Sequence, residues 1–86
     1  MIDLRPAPIA RRALALHLGI GEEAICGIDR LEEDWGIDPF DLLVVASRIA
    51  QIANVDIALS DLGDVVTVAD LEAVVQKQRQ ARSFWW

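Results

Sequence analysis

Eighty-six residues make one small domain with room for a single core. Hydrophobic residues are 53% and charged residues 26%, too apolar a mixture for a disordered segment. Fourteen acids against eight Lys and Arg leave a net charge of −6, which argues against nucleic acid as a partner, because phosphate binding needs a cationic face. The single cysteine, Cys26, has no mate for an internal disulfide, and with the single histidine, His17, it falls short of a zinc ligand set. The longest apolar run, Leu42 to Ala46, is five residues, against the ~18 of a membrane span. The stretch MIDLRPAPIARR lacks the apolar core of a secretory signal. An acidic cytoplasmic domain is expected, with no membrane span and no metal.

Pro6 and Pro8 precede a first helix that starts at Ile9. Ile9, Ala13, Leu16 and Ile20 recur at helical spacing as its expected buried stripe, with Arg11, Arg12 and Ala15 on other arcs. Gly19 and Gly21 stop it near Leu18. A long connection then runs from Gly21 to about Asp38, with Ile25, Ile28, Leu31 and Trp35 as the expected apolar pins. It also carries Glu22, Glu23, Asp29, Glu32, Glu33 and Asp34. These acids lack the D-x-D-x-D-G pattern of a calcium loop and read as a solvated surface.

The central helix is the best-marked element. Asp38 suits the N-cap, Pro39 the first helical position, and Asp41 the third, where an acid complements the macrodipole. No breaker interrupts Phe40 to Ala53. At ~100° per residue, Leu42, Val45, Ala46, Ile49, Ile52 and Ala53 share the expected core face, opposite Asp41, Ser47, Arg48 and Gln51. Phe40 and Val44 fall inside that polar arc. Burying such a pair against a partner contributes about 2–4 kcal/mol, enough for a small hot spot. Cover by the first connection is the alternative fate of Phe40.

Residues 54–66 read as irregular, with one short helical turn at Ser60 to Gly63. Thr67 caps a last helix with Asp70 three residues on, and Val68, Leu71, Val74 and Val75 form its stripe. Lys77, Arg79 and Arg82 lie toward its C-terminal end, where cations suit the dipole. Phe84, Trp85 and Trp86 hold three of the five aromatics, a pattern for docking a partner groove or a membrane interface, or for folding back on the bundle. The fold class is all-α: a bundle of three principal helices and one short one, with a long first connection. Residues 1–82 form the domain and 83–86 an aromatic tail.

Three stretches together resemble the acyl carrier protein family. Leu31-Glu32-Glu33-Asp34-Trp35-Gly36-Ile37-Asp38-Pro39-Phe40-Asp41 is similar to its signature L-x-x-D-L-G-x-D-S-L-D. Leu18-Gly19-Ile20 resembles the L-G-V that ends its first helix, and Thr67-Val68-Ala69-Asp70-Leu71 the T-V-x-D-L that opens its last. The landmarks align without gaps from about Leu18 to Val75. The resemblance implies a four-helix bundle that shuttles acyl or aminoacyl thioesters on a 4′-phosphopantetheine arm, carried by the Ser of D-S-L. It also implies an acidic central helix that docks on partner enzymes.

The chain departs from that pattern where the chemistry sits. Pro39 stands at the attachment position and has no hydroxyl, so no phosphodiester forms there and no cofactor is expected. Proline is tolerated at a first helical position, where the missing N–H has no intrahelical partner anyway. Val44 and Ala50 replace acids of the docking face, Arg48 adds a cation, and Phe40 replaces Leu. The resemblance therefore implies a non-enzymatic module that recognises partners without carrying cargo. Asp38, Phe40, Asp41, Val44, Ser47, Arg48 and Gln51 would contact a biosynthetic enzyme or carrier-recognising protein of an acyl, polyketide or nonribosomal peptide pathway. Two alternatives remain: a working carrier modified at Ser47, Ser60 or Ser83, and a helical homodimer joined through Phe40 and Val44 or the tail.

Overall fold

The computed structural model describes residues 9–84, with side chains through residue 81. Four α-helices follow one another: α1 (Ile9–Leu18), α2 (Leu31–Trp35), α3 (Pro39–Ala53) and α4 (Val68–Phe84). Short 3-10 turns at Glu22–Ala24 and Leu59–Leu62 complete the helical content, and no strand occurs among the described residues. The chain is mostly helical, as expected. No helix among the described residues is long and apolar enough to cross a membrane.

The core lies where α1 packs on both α3 and α4. Leu14, Val45, Ile49, Val68, Leu71 and Val75 are its largest fully buried side chains. This double cover corrects the expected stripe of α1. Ala10, Ala13, Leu14 and Ala15 are buried, while Leu16 is 62% exposed and Ile20 also faces outward. A helix covered on two sides buries a wide arc, and the small alanines let α3 and α4 approach closely. The expected stripe sat at one margin of that arc. On α4, Val68, Leu71 and Val75 are buried as expected, and Val74 is half-buried.

The ends of the helices follow their residue chemistry. Gly19 adopts a left-handed φ of 72° after α1, and Asn54 one of 56° after α3, where its N–H reaches the Ala50 carbonyl. Thr67 and Asp70 form a reciprocal capping box: Asp70 N donates to Thr67 Oγ1 at 3.1 Å, and Thr67 N to Asp70 Oδ2 at 3.0 Å. Helix α4 continues through Phe84, past the expected boundary between residues 82 and 83. The side chains of Arg82, Ser83 and Phe84, and all of Trp85 and Trp86, lie outside the described residues.

The connection between α1 and α3 is more ordered than its sequence suggests. Its five-residue helix α2 ends at Gly36, whose φ of 66° is open to glycine at low cost. Gly36 N donates to Glu32 O and Ile37 N to Leu31 O, satisfying the last carbonyls of α2. Ile25 and Leu31 are buried and Trp35 packs on the core, as expected of pins. Ile28 is not a pin, being 87% exposed at the tip of a turn closed by Asp29 N on Cys26 O. Backbone pairing holds this part instead: Val68 N donates to Asp29 O, Ala69 N to Gly27 O, and Leu31 N to Val66 O.

Candidate functional site

Helix α3 begins as its sequence dictates. Asp38 is extended at the N-cap, with its Oδ1 accepting the Asp41 N–H at 2.7 Å, and Pro39 follows in the first turn. Pro39 also lines a cavity of about 490 Å³ beside Leu31, Ile37, Leu42, Leu62 and Val65. That volume falls in the range of small-molecule sites. Arg30, Glu32, Glu33 and Asp38 add charge to its lining, but no lining residue carries a hydroxyl, thiol, imidazole or amine. The arrangement offers apolar volume next to the carboxylates of Glu32, Glu33 and Asp38.

The outer surface of α3 separates the residues proposed from sequence. Phe40 is 73% exposed, which settles its two possible fates in favour of solvent. Ser47, Arg48 and Gln51 are exposed beside it. Val44 is only half-buried rather than fully outward, and Asp41 likewise. Asp41 directs Oδ1 toward His17 Nε2 at 3.5 Å, so one residue of the expected docking face also ties α3 to the end of α1. His17 is thereby placed in a structural contact.

One correction concerns the core side of α3. Val45, Ala46 and Ile49 are buried and Leu42 packs against the core, but Ile52 is 51% exposed. At ~100° per residue Ile52 lies about 60° from Ile49 on the side of exposed Arg48, at the margin of the buried arc. Leu43, which periodicity left unassigned, is 42% exposed and widens the outer apolar surface. The signal for it was the unbroken run Leu42 to Ala46, which is longer than one face of a helix can hide.

The acids of the connection mostly serve the chain itself. Asp29 Oδ2 accepts from Cys26 N at 2.8 Å and Trp35 Nε1 at 2.9 Å. These bonds, the backbone one first, hold the Asp29 carboxyl below the usual range. Asp34 accepts the Arg30 N–H, and Glu33 pairs with the Arg30 guanidinium at 2.6 Å, which raises the Arg30 pKa. Glu22 pairs with Arg12 at 3.2 Å. Among the described residues, no group of three or more His, Cys, Asp or Glu converges as a cation cage. Cys26 is an exposed free thiol, and Ser47 and Ser60 are exposed hydroxyls on α3 and on the second 3-10 turn. The chain matches no family model, and no curated protein is significantly similar to it.

Proposed function

We propose that this chain is an acyl-carrier-protein-like module without a prosthetic arm, acting by protein contact as a scaffold, regulator or subunit in an acyl, polyketide or nonribosomal peptide pathway. One observation carries the reading: Pro39 occupies the first turn of a helix whose cap and acidic third position are intact. A helix start arranged for modification is kept, and the atom that modification needs is missing. The outward Phe40, with Ser47, Arg48 and Gln51 around it, supports recognition through the face of α3. The lining of the cavity beside Pro39 includes no serine or threonine hydroxyl, which is consistent with a module that lacks the prosthetic arm. The module is cytoplasmic, where such pathways operate.

The test is intact-mass spectrometry after incubation with coenzyme A and a promiscuous phosphopantetheinyl transferase. The wild-type chain is expected to keep its mass, and Pro39→Ser to gain one phosphopantetheine. An adduct on the wild type would overturn the reading. Peptide mapping to Ser47, Ser60 or Ser83 would then identify a working carrier with a displaced attachment site.

A further inference from the structure

We propose that the outer face of α3 pairs with the same face of a second copy of this chain, antiparallel and centred on Val44. The inference rests on the exposed Phe40, Ser47, Arg48 and Gln51 and the half-buried Asp41 and Val44 of α3, and it stands apart from the carrier-like reading. Its consequence for that reading is competition, because self-pairing covers the surface offered to another partner.

The argument begins with charge placement. Helix α3 contains one acid, Asp41, and one cation, Arg48, seven residues apart. Seven residues are close to two turns, so the two charges lie on nearly the same side of the helix, about 10 Å apart along its axis. Among the described residues Arg48 has no ion-pair partner, and Asp41 keeps 35% of its side chain exposed beside His17. Phe40, Val44, Ser47 and Gln51 run along the neighbouring strip.

A parallel copy sets like charge against like. An antiparallel two-fold through Val44 sets each residue against the one equally far on its other side. Phe40 then comes level with Arg48 of the second copy, and Asp41 level with Ser47. Asp41 and Arg48 of opposite copies are thereby one residue apart in height, about 1.5 Å, on the same side of the seam. The symmetry makes this ion pair twice. On the other side Phe40 lies against Ser47 and Gln51 of its mate, and Val44 meets Val44. The one acid and one cation of α3 thus complement each other only in self-pairing of this register, and that complementarity selects a second copy as the occupant.

One helix face buries less than the ~800 Å² per partner of a standard interface, and each copy carries a charge of −6. The dimer is therefore weak, with a dissociation constant on the order of 0.1 mM. Sedimentation equilibrium on the full chain from about 10 µM to about 1 mM should show the mass rising from 9.5 kDa toward twice that value. Arg48→Asp and Asp41→Arg should each weaken association at least about tenfold, and an equimolar mixture of the two should restore it. Circular dichroism confirms that each variant is folded. If Asp41→Arg does not fold, cross-linking takes its place: in a Cys26→Ser background, Val44→Cys should oxidise to a disulfide dimer and Ser60→Cys should not. A wild type that stays monomeric at the highest concentration overturns the proposal. So does a dimer indifferent to Arg48→Asp, a folded mixture that fails to associate, or cross-linking no better at position 44 than at 60.

Discussion

The connection from Gly21 to Asp38 and the outer face of α3 are neighbours in sequence and opposites in how they use polar groups. In the connection, Asp29, Glu33 and Asp34 accept hydrogen bonds from residues a few positions away, and the backbone of residues 27–31 pairs with residues 66–69. On α3, Ser47, Arg48 and Gln51 point to solvent beside an exposed Phe40. Acids therefore mean different things in the two places. Those of the connection supplement its apolar pins Ile25, Leu31 and Trp35 with local hydrogen bonds, whereas Ser47, Arg48 and Gln51 on α3 stay exposed. A stretch with few regular hydrogen bonds of its own can be well held, and a regular helix can leave an aromatic side chain uncovered.

Substituting an anchor of the connection sharpens this contrast most. Leu31 is 3% exposed at the start of α2, where its N–H bonds Val66 and its carbonyl closes the end of α2. Leu31→Ala should cost about 2–4 kcal/mol in urea unfolding, the range for a buried leucine. A cost under about 1 kcal/mol would mean that the connection is loosely attached and that the contrast with α3 fails.

The next effect is at the other half of that attachment. Asp70 accepts the N–H groups of Val66 and Thr67, which hold its carboxyl below the ordinary value, the Thr67 bond counting most. Asp70→Ala should cost about 1 kcal/mol, a typical loss for a removed cap. A lowered folded pKa means that this stabilisation is complete above the unfolded value of 3.8 and is lost as pH falls through the folded one. The gap between wild type and Asp70→Ala should therefore narrow below about pH 4. A gap that is constant from pH 7 to pH 3 would show that the carboxylate charge contributes nothing.

These same residues show how far sequence alone reaches. The caps at Asp38, Thr67 and Asp70 and the stop at Gly19 were legible because each is a local hydrogen bond or dihedral written in one or two residue types. The stripe of α1 was not legible, since it depends on two other helices covering one helix. Ile28 is exposed for a related reason: its neighbours are held through backbone groups, which hydropathy does not register. At the candidate site, the exposure of Phe40 could not be decided from periodicity, because the connection was long enough to cover it. Leu43 belongs to an apolar run that wraps past a single face, so periodicity alone does not place it.

Glu72 tests the interface between α1 and α4 with an effect no larger than that of Asp70. Its Oε1 accepts the Arg11 N–H at 3.1 Å, so a side chain of α4 serves the open N-terminal turn of α1. Partial burial raises its pKa, and the Arg11 N–H and positive charge pull it back only in part. A raised folded pKa in an acid has the opposite sign to Asp70: the folded state holds the proton more tightly, so stability attributable to this group falls as pH rises through that value. Glu72→Gln keeps an oxygen acceptor and removes the charge. It should equal or exceed the wild type at pH 7, while Glu72→Ala loses the bond and should cost about 1 kcal/mol. Thermal melts of the two variants from pH 4 to pH 8 separate bond from charge. A Gln variant weaker than the Ala variant would contradict this assignment.

Phe40→Ala carries the smallest expected effect on stability and for that reason bears hardest on the comparison. With 73% of its surface already in solvent, Phe40 has little buried area to lose. The variant should unfold within about 0.5 kcal/mol of wild type, as surface positions do. Measurement at about 5 µM keeps a weak dimer from adding its own stabilisation by mass action. At about 1 mM the same substitution should lower the apparent melting temperature relative to wild type, since only there does the side chain gain cover from a second copy. A shift of more than about 4 °C in the dilute sample would place Phe40 in the intramolecular packing. The outer face of α3 would then belong with the connection as a surface already in use, and neither a partner enzyme nor a second copy would find it open.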